Sequence, residues 1–387
     1  MVGSLDQFAN TKLEKLAADH LRRTLAETTR EDGVWVMREG RRLLSFSCND
    51  YLGLSQHAKV KKAAKAAIDR YGTGAGASRL ITGNHPLFAD LEARLAALKG
   101  TDAACVFGSG YLANTGIIPA LIGPDDLILV DELSHACVWA GAQLTRGTVQ
   151  TFRHNDIDHV RTMLKEDRTA YTHALIVTDG VFSMDGDLAP LAELSLLAKD
   201  YDAWLMSDDA HGLGVIGNAR GSAFVGDEKI SVDLQMGTLS KALGSYGGYL
   251  CASAPVIDLI KTRARTLVYS TGLPPANAAA ALAALDVIAK DLSFAARPLK
   301  KAQAFTQACD LPLAQSPIVP IVLGEALTAL EASRLLEEEG FLAMAIRPPT
   351  VPAGTARLRL AFSALHPDEE IARLAEIVRT RILPMVR

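Results

Sequence analysis

Five side chains in the sequence have the types and the setting for carbonyl chemistry. Lys241 stands in Gln235-Met-Gly-Thr-Leu-Ser-Lys-Ala-Leu-Gly-Ser-Tyr-Gly-Gly248, a glycine-rich turn after an apolar run, with Thr238 and Ser240 before it and Ala242-Leu243 behind. Apolar surroundings strip water from an ammonium and lower its pKa, which leaves an amine able to form Schiff bases. A lysine on such a loop is otherwise a solvated surface residue, and the stretch alone leaves both readings open. Met206-Ser-Asp-Asp-Ala-His-Gly212 closes another apolar run with Asp208, Asp209 and His211. Aspartates there either cap a turn or meet a ligand. His135 follows Ser134 where a helical pattern begins, so it either presents its ring at the mouth of a sheet or lies exposed beside a capping serine.

The elements that must position these residues are apolar runs alternating with helical patterns between Asp102 and about Ala252. The runs are Ala103 to Phe107, Leu127 to Val130, Val149 to Phe152, Ala174 to Val177, Ala203 to Met206, Val232 to Met236 and Tyr249 to Ala252. Strands apolar on both faces and separated by helices imply a mostly parallel sheet covered on both sides. Ligands of such sheets gather at the carboxyl ends of the strands, where Ser109, Asp131, Asp179, Ser183, Asp208, His211, Thr238 and Lys241 fall. Phe107-Gly-Ser-Gly-Tyr-Leu-Ala-Asn114 runs from a strand into a helix starting near Tyr111, and free N–H groups at a helix start suit a phosphate. If Lys241 carries pyridoxal phosphate, the pyridine nitrogen needs a buried carboxylate to stay protonated, and Asp208 is the candidate. Asp208 is preferred to Asp209 because alternate side chains at a strand end face opposite ways. His211 is placed to donate to the phenolic oxygen.

Length and composition bound what remains. The chain has 387 residues, 49% of them apolar, and a net charge of −4, which fits two packed domains and lacks the basic footprint of a nucleic-acid or membrane-surface binder. The five cysteines have no Cys-x-x-Cys spacing and read as reduced core residues. No secretory signal is read at the start, no apolar stretch is long enough to cross a bilayer, and a cytoplasmic protein is expected. No metal-binding pattern is present. Gly212-Leu-Gly-Val-Ile-Gly217 matches a dinucleotide fingerprint, but Asn218-Ala-Arg-Gly-Ser222 after it is not an amphipathic helix and the match is rejected. An N-terminal arm over 1–48, with a helix from about Asp6 to Thr29, precedes a large domain over 49–285. A smaller α/β domain over 286–387 has strand-like runs at Pro317 to Leu323, Phe341 to Ile346 and Ala356 to Phe362. The loop Tyr71 to Arg79, with three alternate glycines, is either a connector or a place of close backbone approach.

With these residues assembled, the chain resembles the α-oxoamine synthases, a branch of the fold-type I pyridoxal-phosphate enzymes, from Asn49-Asp-Tyr-Leu-Gly to the C-terminus. The likeness is carried by Asp179-Gly-Val-Phe-Ser-Met-Asp-Gly-Asp187, Asp208-Asp-Ala-His-Gly212, Thr238-Leu-Ser-Lys241, Tyr269-Ser-Thr-Gly-Leu-Pro-Pro275 and Ile346-Arg-Pro-Pro-Thr-Val-Pro-Ala-Gly-Thr-Ala-Arg-Leu-Arg-Leu360. It implies a seven-stranded large domain, a homodimer with active sites at the interface, and pyridoxal phosphate on Lys241. It further implies Asp208 at the ring nitrogen, His135 stacked on the ring, and His211 and Ser183 at the phenolic oxygen. Gly110, Tyr111 and Thr238 would hold the phosphate, reached by Ser270 and Thr271 of the partner subunit. Asn49, Arg347 and Arg359 are candidates for the amino-acid carboxylate and Arg22 for the acyl substrate. Through the stretch Ile346 to Leu360 the resemblance further implies L-alanine and a pimeloyl thioester, carried by coenzyme A or an acyl carrier protein, as the substrates. Sister enzymes using glycine or serine with another thioester would share the other residues, and a non-catalytic sensor or partner subunit on the same fold is the reading from a different class.

Overall fold

The apolar runs between Asp102 and Ala252 become one sheet in the computed structural model, which describes residues 3–386. Its strands are Ala103–Phe107, Leu127–Asp131, Thr148–Phe152, Ala174–Asp179, Trp204–Asp208, Leu234–Thr238 and Gly248–Ala252. Side by side they run 103–107, 248–252, 234–238, 204–208, 174–179, 127–131, 148–152. The strand 248–252 is antiparallel to both neighbours, pairing Phe107 with Gly248 and Thr238 with Gly248 at one end. The other pairings are parallel. The carboxyl ends of six strands therefore share one edge with the start of the seventh.

Alternation along the strands explains the continuous apolar runs. Leu127, Leu129, Ile176 and Leu205 pack on one face with Val160, Leu164, Leu191 and Leu194 of two helices, while Ile128, Val130, Val177, Met206 and Met236 pack on the other with Ile117, Ile118, Ile257 and Ile260. A strand buried on both sides has no polar face to alternate with. The helix Gly110–Leu121 on the second face begins where Ser109 Oγ accepts the Leu112 N–H at 3.1 Å, a side-chain cap that fixes its start.

This sheet belongs to a unit made of Asn49–Lys300 with Gln315–Pro317; the other unit comprises the segment up to Cys48, Lys301–Ala314 and the segment from Ile318 on. In that second unit Thr28–Arg30, Trp35–Arg38 and Arg41–Ser45 form an antiparallel meander, with Phe341–Leu342 parallel to Arg41–Ser45. A three-stranded sheet holds Ala356–Ala361 between Ile318–Gly324 and Ala345–Ile346. Phe46, Phe305, Phe341 and Phe362 fill the core against helices Ala326–Glu338 and Asp368–Ile377.

Two expectations fail here. The N-terminal helix stops at Ala18, and His20 takes a φ of 55°; Thr28 and Thr29, placed in that helix by local periodicity, instead pair with Arg38 and Met37. The run Phe341 to Ile346 is split, its first half joining one sheet and Ala345–Ile346 the other. Both changes come from strand pairing with distant residues, which local patterns do not encode.

Candidate active site

At the shared strand edge of the larger unit a cavity of about 180 Å³ is lined by residues that include Gly110, Tyr111, His135, Asp179, Asp208, His211, Thr238 and Lys241. Two larger hollows on this unit, of about 450 and 740 Å³, gather no such combination of amine, imidazoles and buried carboxylates. Size is a poor guide here; convergence of chemistry is a better one.

Asp208 ends its strand in line with Met206, on the face of the helix Gly110–Leu121, and is 4% exposed. Its Oδ1 accepts the Ala210 N–H at 3.0 Å and its Oδ2 accepts Asn114 Nδ2 at 2.7 Å. Asp209 turns the other way. Its carboxylate meets buried Lys99 Nζ at 2.5 Å and accepts the Ser222 N–H at 3.0 Å. The period-two geometry of a strand thus separates adjacent aspartates into a cavity and a closed ion pair.

His135 precedes the helix Ala136–Gln143, its N–H donating to Asp179 Oδ1 at 3.1 Å and its Nδ1 2.7 Å from Cys137 Sγ. Burial lowers the imidazole below its ordinary pKa, with the Asp208 charge opposing and Lys241 adding to the shift, so at neutral pH the ring is uncharged and suited to lie against a π-system. Burial also pushes the Cys137 thiol up to about 12 and, with Asp208 beside it, holds Asp179 well above the carboxylate range. His211 is buried, and its Nδ1 is 2.6 Å from Tyr51 Oη, which also lies 3.4 Å from Asn49 Oδ1.

The lysine turn is shaped by its glycines. Lys241 O accepts the Gly244 N–H at 2.8 Å, and Gly244 has a φ of 61° with its missing Cβ only 2.1 Å from Ser55 N. Any side chain there would displace the turn. Thr238 Oγ1 donates to Gly247 O at 2.7 Å and stands 2.8 Å from Ser240 Oγ. A Cβ at Gly110 would lie 3.3 Å from Met236 Cε and 3.5 Å from Thr238 Cβ, so the glycine keeps open a cradle between the helix start and the Thr238 strand end. That cradle, a carboxylate at the cavity wall and a lysine on the turn fit a ligand with an anionic group, a ring nitrogen and a carbonyl.

Not every expected residue lines this cavity. Ser183 is buried in the turn after Ala174–Asp179, outside the lining. Ser270 and Thr271 are outside it too, Thr271 forming a bridge with Ser78. Arg22, Arg347 and Arg359 belong to the other unit. There Arg347 Nη1 donates to His20 O, Arg23 Nη2 donates to Thr350 Oγ1 at 2.7 Å, and Arg359 is 7% exposed on the strand Ala356–Ala361. Tyr51, Asn114 and Cys137 are contributors to which sequence reading gave no role, and Asp179 was read only as a residue at a strand end. Asn114 left a positional signal that named no role, lying one helical turn beyond Gly110.

Comparison with known proteins adds an independent line. Residues 41–378 match the family of class I and II aminotransferases. The chain is 62% identical over 377 residues to an 8-amino-7-oxononanoate synthase of Beijerinckia indica, covering 97% of this chain and 98% of that one. With the enzyme of the same name from Methylocella silvestris it shares 66% identity over 345 residues, 89% of this chain and 98% of the other. Among solved structures, a serine palmitoyltransferase from S. paucimobilis with a bound PLP–myriocin aldimine superposes with a TM-score of 0.92 at 26% identity, over 99% of both chains.

Proposed function

Because the chain belongs to the class I and II aminotransferase family and, within it, to the 8-amino-7-oxononanoate synthases, we propose that its cavity condenses L-alanine with a pimeloyl thioester. The enzyme is a pyridoxal-phosphate-dependent acyltransferase of biotin biosynthesis. The reaction joins the amino acid to the acyl group and releases the thiol carrier and carbon dioxide. Pyridoxal phosphate, when bound, supplies an electron sink for the carbanion of the amino acid.

The observation that carries the reading is the meeting of Lys241, Asp208, His135 and His211 in one cavity beside the Gly110 cradle. Lys241 would hold the cofactor covalently and, once displaced by substrate, take the α-proton of alanine and return one to the product. Asp208 would keep the ring nitrogen protonated. Uncharged His135 would orient the ring from its face, and His211, aimed by Tyr51, would hold the phenolic oxygen, with Ser183 beside it. Gly110, Tyr111 and Thr238 would anchor the phosphate, and Ser270 and Thr271 would reach the phosphate of a second subunit in a homodimer. Asn49, Arg347 and Arg359 would grip the alanine carboxylate, for which a guanidinium fork is suited, and Arg22 would meet the acyl group.

The test offers alanine, glycine and serine against pimeloyl-, acetyl-, succinyl- and palmitoyl-coenzyme A, following thiol release and product mass. Alanine with the pimeloyl thioester should be preferred. Glycine should be slower by roughly 10- to 200-fold, since one methyl group in an apolar pocket discriminates by only about 1–3 kcal/mol. A preference for serine with palmitoyl, or glycine with acetyl, would overturn the substrate assignment.

A further inference from the structure

Asp179 and Asp208 end neighbouring parallel strands in register with each other, line the same cavity and are 2% and 4% exposed. Two carboxylates so placed do not both ionise freely, because each charge raises the cost of the other. Their donors differ. Asp208 receives the Ala210 N–H on Oδ1 at 3.0 Å and Asn114 Nδ2 on Oδ2 at 2.7 Å, with Cys137 Sγ 3.9 Å from the same oxygen. Among the described residues, Asp179 receives the His135 N–H at 3.1 Å.

Asn114 is wholly buried, and its Oδ1 has no hydrogen-bond partner. An orphaned buried acceptor is costly. The amide is turned so that its donor meets Asp208 while its own acceptor goes without. We propose that Asn114 is a positioning residue that places the single negative charge of the Asp179–Asp208 pair on Asp208 and leaves the proton on Asp179.

The other groups around the pair pull both ways. Burial and the charges of Asp208 and Asp131 disfavour ionisation of Asp179 and outweigh the His135 N–H and the Lys241 charge, which favour it, while Cys137, pushed up to about 12 by burial, stays a thiol. The functional meaning of the charge rests on the reading of Asp208 as the partner of the cofactor ring nitrogen; its location does not.

Infrared spectroscopy of the holoenzyme at neutral pH should show a protonated buried carboxyl whose band disappears in Asp179→Asn. Absence of that band in the wild type, or its survival in Asp179→Asn, would overturn the proposal. A functional arm uses equilibrium dialysis of the holoenzyme with the visible cofactor band as readout. Asn114→Leu, which keeps the branched four-atom shape of the side chain and removes the donor, should weaken cofactor retention roughly ten- to a hundred-fold, the scale of a hydrogen bond to a charge. Asp179→Asn in the same chain should restore most of the loss, because Asp208 then has no competitor for the charge. If the second substitution rescues nothing, Asn114 acts only through packing and the proposal fails. Should Asn114→Leu not fold, Asn114→Ala, which also removes the donor, enters the same cycle. Borohydride trapping of the cofactor on a residue other than Lys241 would defeat the reading of the site while leaving the infrared result as it stands.

Discussion

Asp208 and Asp209 are neighbours in the chain, yet one faces open space and the other a filled interior. Around Asp209 the packing is dense: Lys99 Nζ lies 2.5 Å away, and a Cβ at Gly212 or Gly221 would come within 2.0 and 1.7 Å of its oxygens. Around Asp208 the donors are neutral, and a cavity lies in front. A buried carboxylate whose cation is built in serves the fold, whereas one held by neutral donors beside an opening has its counter-charge still to come.

The contrast is broken most sharply at the open side. Lys241→Ala should abolish turnover while the folded chain still retains cofactor non-covalently, and borohydride reduction of the wild type should fix the cofactor on the peptide carrying Lys241. Next comes the pair itself. Asp208→Asn should lower turnover by several orders of magnitude with the melting temperature little changed, since the cavity already accommodates that side. Asp209→Asn should do the reverse, costing about 3–5 kcal/mol of stability by leaving Lys99 buried without its partner. Chemical denaturation and steady-state rates on both variants decide it, and exchanged outcomes would mean that the strand register is wrong.

A smaller effect is expected where a strand end is half closed. His154 lies between Asp131 Oδ1 at 3.1 Å and Asp187 Oδ2 at 2.8 Å; burial opposes its charge, but the two carboxylates outweigh burial and raise its pKa to about 10. A folded pKa above the ordinary 6.5 means that this stabilisation is complete below about pH 6.5. It then declines as pH rises, and is lost through about pH 10. The melting temperature of the wild type should therefore exceed that of His154→Gln at pH 6 and converge with it above pH 10. A gap that widens with pH would refute the paired imidazolium.

Much of this was legible in the sequence because it depends on local period. The strand Ala103–Phe107 has the bounds its apolar run suggested, and the preference for Asp208 over Asp209 follows from alternation alone. Asn114 and Tyr51 were not legible as working residues, since each acts through a partner remote in sequence, Asp208 and His211 respectively. Thr28–Arg30 escaped for the same reason: a short strand is defined by what lies opposite it. Chemistry-bearing residues at strand ends can be read from the chain, while the residues that aim them are known only once the chain has folded.

The antiparallel strand Gly248–Ala252 also sets an order of events during synthesis. It is the sole link in the sheet between Ala103–Phe107, which leads into the Gly110 cradle, and Leu234–Thr238, which leads into the lysine turn. A nascent chain that has released its first two hundred residues already carries Gly110, His135 and Asp179, but the strand that joins the cradle to the rest is still missing. Pairing so distant in sequence forms late and slowly. Cofactor capture therefore has to wait until the chain beyond Ala252 has left the ribosome, and the unit cannot be loaded piecemeal.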